Sequence, residues 1–117
     1  RTMNGYGLSG VRFEPVHFTP VSPGDGKFDG VEVEGVRLIA TSTEYDPTHA
    51  ALALLVETHR MSAENWGWLQ SHFDRLAGTD LLRKGITEGA GVDELRAGWD
   101  EALEEFKRTR EPYLIYP

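Results

Sequence analysis

Residues 92–116 read VDELRAGWDEALEEFKRTREPYLIY, and this segment sets the expected fold of the whole chain. Its large apolar residues recur at spacings of three and four, which predicts one buried face of an α-helix: Val92, Leu95, Trp99, Leu103 and Phe106. Acidic residues fill the first turn and basic residues the last, as the helix dipole favours. Pro112 is expected to end the helix, and residues 113–116 are predicted to form a short strand. A helix that leads directly into a strand needs a sheet on which to dock.

Two upstream segments are predicted to supply that sheet. The first contains apolar residues in alternation (Val11, Phe13, Val16 and Phe18), with a break expected at Pro15 because proline cannot donate to a strand ladder. The second, between Val31 and Ile39, has the strongest β pattern, and Gly35 inside it marks a bulge or a close approach. We expect Trp99 and Phe106 to be largely buried against residues 35–41 and the terminal strand.

The helices between these strands have clear start and stop signals. Asp46-Pro47 predicts a helix start, with Asp46 as the cap, and this helix should run to about Arg60. Gly78 is expected to end a short helix, and Thr79 to cap the next one. The resulting order β–β–α–α–α–α–β predicts a single α+β domain over residues 1–117. Its small, mostly antiparallel sheet would be covered by about four helices.

Composition excludes several classes of function. The chain has 19 acidic and 12 basic residues, and its formal charge of −7 argues against nucleic acid and anionic membranes as partners. It has no cysteine, which excludes disulfides and thiolate metal sites. No apolar run reaches the ~18 residues that a membrane span needs. The opening Arg1-Thr2-Met3-Asn4 is not a signal peptide and is typical of a cut within a longer protein.

No motif in the sequence indicates a self-contained active site. The first ten residues spell G-x-G-x-x-G, but a strand pattern follows them where a dinucleotide site needs a helix, so a flexible entry loop is favoured. Asp25 and Asp29 resemble the start of a calcium loop, but Lys27 and Val36 occupy ligand positions. The four histidines are scattered, and no spacing selects a carboxylate pair for glycoside chemistry. We therefore expect no cofactor, no metal and no catalysis by this segment alone.

Two surface features remain as candidates for binding. The loop after Phe18 is long and contains two prolines and two glycines in its first part, and loops of this length are usually functional or disordered. Thr19 and Lys27 would offer hydrogen-bond donors there, although the loop could also be a solvated connection. Trp66 and Trp68 could form a sugar platform or could simply pack in the core.

Four motifs, in order along nearly the whole chain, resemble one bacterial family. LSGVRFEPVHFTP at residues 8–20 resembles the L-P-G-V-x-F-x-P-x-x-F-T-P opening of the C-terminal domain of exo-β-N-acetylmuramidases. GVRL at residues 35–38 is similar to G-V-Q-L, and FDRLAGTD at residues 73–80 to F-D-x-L-A-G-T-D. Trp99, Phe106, Arg110 and YLIY at residues 113–116 match the closing W…F…R…Y-L-L-Y. The sequence departs from the pattern at four sites: Ser9, Val33-Glu34, Arg37 and Gly91.

The resemblance implies a two-domain glycoside hydrolase that releases N-acetylmuramic acid from peptidoglycan fragments, in cell-wall recycling and outside the cytoplasm. The catalytic acid would lie in an N-terminal Rossmann-like domain, the partner of this chain across the substrate cleft. This chain would then be an accessory domain, with Phe18, Thr19, Pro20 and Lys27 contacting the sugar. The Lys27 ammonium would suit the lactyl carboxylate of that sugar. The alternative is a stand-alone module that binds cell-wall glycans or a protein.

Overall fold

The computed structural model describes residues 1–116. It contains α1 (Thr2–Gly5), β1 (Val11–Phe18), β2 (Val33–Ala40), α2 (Pro47–Met61), α3 (Gln70–Ala77), α4 (Leu81–Thr87) and α5 (Val92–Arg110), with turns of 3-10 helix at Ala63–Asn65 and Glu111–Tyr113. The predicted α+β class with an antiparallel sheet is confirmed. The chain forms two compact units, Arg1–Leu54 and the part that begins at Leu55, so the boundary lies within α2. Among the described helices, none has the length and apolar character to cross a membrane.

The sheet consists of β1 and β2 in an antiparallel pair that runs without a bulge from Val11 opposite Ala40 to Phe18 opposite Val33. The predicted break at Pro15 is wrong, since β1 passes through it. Each strand of a two-stranded sheet has an open edge, where a residue without an N–H does not interrupt pairing. The predicted close approach at Gly35 is confirmed, because a β-carbon there would lie 3.0 Å from Cε1 of Phe18.

Residues 2–5 form a helix, so the prediction of a glycine loop over the first ten residues is wrong for its first half, while residues 6–10 are not helical. Helix α1 buries Met3 and places Asn4 beside β1. The Asn4 side chain donates from Nδ2 to the carbonyl oxygen of Phe13 and accepts the Phe13 N–H at Oδ1, both at 2.9 Å. One side-chain amide thus replaces a neighbouring strand at the position where the buried Phe13 enters the core of the first unit.

Gly10 immediately precedes β1, at the end of the hairpin opposite the connection between the two strands. Its φ of +70° lies in the left-handed region, and a β-carbon there would lie 2.4 Å from the backbone nitrogen of Tyr45. The N–H of Thr41 donates to the Gly10 carbonyl oxygen at 2.8 Å. Glycine is therefore required at this position both by the backbone conformation and by the close approach of residues 44–45.

The predicted start of α2 and stop of α3 are confirmed, whereas the N-cap of α4 is Asp80 and not the predicted Thr79. The N–H of His49 donates to Asp46 Oδ1 at 2.9 Å, which is the cap expected for α2. Helix α3 ends at Gly78, whose φ of +74° is the left-handed C-cap conformation. The Arg83 guanidinium donates to both carboxylate oxygens of Asp74 and so joins α4 to α3. This charge-assisted pair is mostly buried, and neither partner was singled out in the sequence.

Helix α5 begins at the predicted residue, but only part of its apolar face is covered. Val92 is buried, and Leu95 packs so closely on α4 that a β-carbon on Gly85 would lie 2.6 Å from Leu95 Cδ2. Trp99 is half-buried. Phe106 is 57% exposed, so its predicted burial is wrong.

The predicted terminal strand is also absent from the described residues. Tyr113 belongs to the 3-10 turn Glu111–Tyr113, Leu114 is extended, and the chain bends at Ile115. The run of large apolar residues is thus not sufficient by itself to form a strand.

Candidate functional site

The connection between β1 and β2, residues 19–32, is a folded loop that we call the hairpin loop. The N–H of Gly30 donates to the Pro20 carbonyl oxygen at 2.9 Å, which joins the two ends of the loop. The N–H of Ser22 donates to Asp29 Oδ1 at 2.8 Å, and the N–H of Lys27 donates to Asp25 Oδ1 at 3.1 Å. These bonds hold the backbone of the loop in a defined conformation, although its side chains face solvent.

The structure brings three of the four predicted site residues together. Phe18 ends β1, is half-exposed and lies with its ring against Gly35. Thr19 follows it and is exposed, and Pro20 is partly buried. Lys27 lies further along the same loop and is exposed. Within residues 1–116, neither the Lys27 ammonium nor the Thr19 hydroxyl has a hydrogen-bond or ionic partner, so both donors are available to a ligand.

An aromatic residue that the sequence analysis missed stands next to Lys27. Phe28 has a φ of +57° and is 64% exposed. A bulky residue in the left-handed region is strained, and such strain is found mostly where the surroundings impose it and often at functional positions. Val21 and Val31 of the same loop are also exposed. The only signal available in the sequence was the length of the loop, which does not single out Phe28.

The two aspartates of the hairpin loop have a structural role. Asp25 and Asp29 each accept a backbone N–H from within the loop, as aspartates in turns commonly do. Over residues 1–116 the structure contains no group of three histidine, aspartate or glutamate side chains that could hold a metal ion.

The tryptophans belong to an aromatic cluster in the second unit. Trp66 lies edge-on to Trp68 with ring centroids 5.2 Å apart, and Phe73 lies 4.7 Å from Trp68. His59 contacts both indoles. Both tryptophans are half-buried, and Trp68 Nε1 donates to Thr87 Oγ1 at 3.2 Å. This arrangement favours the packing role over a sugar platform, because the two indoles contact each other and His59, and His59 stacks on Trp68.

Asp80, in the second unit, is a carboxyl group whose pKa is changed by a neighbouring side chain. The hydrogen bond from the Lys84 ammonium lowers the pKa of Asp80 below its ordinary value, and Coulombic attraction to the same ammonium adds to this effect. A general acid at neutral pH needs the opposite shift. Asp80 is therefore suited to a surface ion pair and not to proton donation.

Comparisons with known proteins give the family and the fold of this chain. The family model described as "Exo-beta-N-acetylmuramidase NamZ, C-terminal" matches residues 1–116. The peptidoglycan beta-N-acetylmuramidase NamZ of Bacillus subtilis (strain 168) is 31% identical over 117 residues, which cover 98% of this chain and 28% of that protein. The crystal structure of a DUF1343 family protein from Bacteroides fragilis NCTC 9343 has a TM-score of 0.85 at 17% identity. The match covers 99% of this chain and 31% of that one, and it shows a shared fold. The chain thus spans less than a third of the length of either protein.

Proposed function

The chain belongs to the family of the C-terminal domain of the exo-beta-N-acetylmuramidase NamZ, and from that premise we propose that it is the accessory domain of a peptidoglycan-hydrolysing glycosidase. In this proposal the catalytic acid lies in another, Rossmann-like domain of a longer protein. The present chain forms one wall of the substrate cleft, and the enzyme acts outside the cytoplasm. The existence of a longer protein is supported by the comparison with the Bacillus subtilis relative, because this chain corresponds to only 28% of that protein.

The acid–base properties of Asp80 support an accessory role over a catalytic one. Glycoside hydrolysis generally needs two carboxyl groups on either side of the scissile bond, one of them with a raised pKa. In this chain, the pKa of Asp80 is lowered by its bond to Lys84. The aspartates of the hairpin loop are engaged with backbone N–H groups. The Asp25 and Asp29 carboxylates thus stabilise the backbone of the hairpin loop.

The observation that carries the proposal is the unpaired Lys27 ammonium on an internally bonded loop. A chain with a net charge of −7 disfavours an anionic ligand in general, so an anionic sugar needs a local cation. N-acetylmuramic acid bears a lactyl carboxylate, to which an ammonium can donate charge-assisted hydrogen bonds. Thr19 adds a neutral donor, and Phe18 and Pro20 fix the end of β1 from which the loop leaves.

Kinetics of the full-length parent enzyme test this assignment. Lys27→Ala is expected to lower kcat/KM on a chromogenic N-acetylmuramoside by about 10- to 100-fold, the effect of losing a hydrogen bond to a charged group. Thr19→Ala should have a smaller effect in the same direction. Lys84→Ala, which removes an equivalent charge outside the hairpin loop, is the control and should leave kcat/KM near the wild-type value.

A substrate analogue separates the proposed contact from a general structural effect. If Lys27 binds the lactyl carboxylate, converting that group to its amide should lower kcat/KM in the wild-type enzyme. The same change should have little further effect in Lys27→Ala. Wild-type kcat and KM in both Thr19→Ala and Lys27→Ala would show that the hairpin loop is only a connection, and the site assignment would be wrong.

A further inference from the structure

Phe28 in the hairpin loop has a backbone conformation that favours glycine. Its φ of +57° lies in the left-handed region, as do the φ angles of Gly26 and Gly30, two residues away on either side. A bulky residue is rarely found in this region, because its β-carbon comes too close to the backbone. The side chain of Phe28 therefore lowers the stability of the folded chain, and a glycine would remove the strain.

The hydrogen bonds of the loop impose this conformation, and they lie within the unit Arg1–Leu54. The N–H of Val31 donates to the Phe28 carbonyl oxygen at 3.0 Å, which closes a turn that begins at Phe28. On the other side, the N–H of Lys27 donates to Asp25 Oδ1 at 3.1 Å. Because the backbone is bonded on both sides of Phe28, little of its freedom remains to be lost when a ligand binds.

Packing within the chain does not account for the ring of Phe28. The residue is 64% exposed, whereas Phe13 of the same unit is 6% exposed. Over residues 1–116, the Phe28 ring has neither an aromatic ring nor a cation as its partner. The loop thus holds an aromatic side chain in solvent in a strained conformation, and such strain is found most often at functional sites.

Lys27, whose ammonium is unpaired in the described part of the chain, directly precedes the ring. The Cα atoms of consecutive residues are about 3.8 Å apart, so a ligand of the size of a sugar can reach both side chains. Ligand sites generally combine apolar contact area with a few polar groups that fix the orientation of the ligand. The C–H groups of a sugar form an apolar face that a flat aromatic ring can cover, while its acidic group lies at the edge.

We propose that Phe28 is a binding residue of the hairpin loop, whose ring stacks on the apolar face of the sugar while Lys27 pairs with the carboxylate of that sugar. This inference rests on the proposed function, because it takes the same loop and the same class of substrate. The alternative occupant is an apolar surface of another domain. Such a surface would remove the Lys27 ammonium from water without a counter-charge, which is strongly unfavourable. An acidic sugar supplies the counter-charge.

Three substitutions of Phe28 in the full-length parent test the stacking role, with a chromogenic N-acetylmuramoside as the substrate. Phe28→Gly is expected to lower kcat/KM by about 10-fold, the effect of losing one aromatic stacking contact. Phe28→Tyr keeps the flat ring and should stay within about 3-fold of the wild-type value. Phe28→Leu keeps apolar area without a flat ring and should lose as much as Phe28→Gly. Val21→Ala, at another exposed apolar residue of the loop, is the control and should leave kcat/KM unchanged.

Urea unfolding of the 117-residue chain distinguishes a binding role of the ring from a structural one. Phe28→Gly should leave the stability unchanged or raise it, because the release of strain offsets the greater freedom of glycine in the unfolded chain. A clear loss of stability in Phe28→Gly would show that the ring packs within the chain, and the proposal would be overturned.

The kinetic outcomes also separate this inference from the proposed function. A loss in Lys27→Ala together with wild-type kcat/KM in Phe28→Gly would overturn the stacking role and leave the proposed function standing. The reverse result would contradict the contact of Lys27 and support the stacking of Phe28. Wild-type kcat/KM in Phe28→Leu, with a loss in Phe28→Gly, would assign the ring to an apolar surface of another domain and would contradict stacking on a sugar.

Discussion

Replacing Gly10 with alanine is expected to destabilise the folded chain by about 2–5 kcal/mol, a large part of the stability of a domain of this size. The left-handed conformation contributes about 1–2 kcal/mol for a residue with a β-carbon. The remainder arises because that carbon would lie 2.4 Å from the Tyr45 backbone nitrogen, and overpacking of this kind typically costs about 1–3 kcal/mol. Urea unfolding of the purified chain measures the difference.

Two nearby glycines serve as controls for Gly10. Gly7 also has a positive φ, but no atom lies within 4 Å of its added β-carbon, so Gly7→Ala should show only the conformational part, about 1–2 kcal/mol. Gly5 has neither feature, and Gly5→Ala should be neutral or slightly stabilising. Equal losses in Gly10→Ala and Gly7→Ala would show that the close approach of Tyr45 contributes nothing.

Phe13→Ala is expected to cost about 3–5 kcal/mol, the usual range for a buried aromatic residue. Phe13 is 6% exposed and is the largest buried side chain of the first unit. The Asn4 side-chain amide bonds both the N–H and the carbonyl oxygen of Phe13. Because the backbone is held in this way, it cannot easily move to fill the cavity that the substitution would leave. The free energy of unfolding from urea titration gives the value directly.

The matched control for Phe13 is the same substitution at Phe106. Because Phe106 is 57% exposed, Phe106→Ala should change the stability of the 117-residue chain by less than about 1 kcal/mol. A loss as large as that of Phe13→Ala would mean that the second half of α5 is buried after all. The comparison therefore decides between the burial expected from the sequence and the exposure seen in the structure.

The local elements of the fold were largely predictable from the sequence. The cap at Asp46, the left-handed stop at Gly78 and the start of α5 at Val92 depend on interactions between residues a few positions apart. The close approach at Gly35 was also indicated, because a glycine within a strand pattern needs a structural reason.

The errors arose where the structure depends on distant groups. Helix α1 forms around the contact of Asn4 with Phe13, and no periodicity over so few residues reveals it. Periodicity also assigned Phe106 to a buried face, but it cannot say whether a partner covers that face. In the same way, residues 113–116 have a strand-like sequence but form no strand in the described part of the chain.

The candidate site was predictable in position but not in composition. The length and the prolines of the loop directed attention to residues 19–32, where the unpaired Lys27 is found. Phe28 could not be identified, because its positive φ results from the hydrogen bonds that fold the loop. The contacts of Phe18, Thr19, Pro20 and Lys27 with a sugar stay a prediction.

The central claim is that this chain contributes to a glycosidase without carrying its catalytic acid. The direct measurement is the release of chromophore from an N-acetylmuramoside by the purified 117-residue chain, alongside the full-length parent. We predict turnover by the parent and none above the buffer rate by the chain alone. Turnover by the chain that is lost when one of its own aspartates or glutamates is replaced would contradict the account.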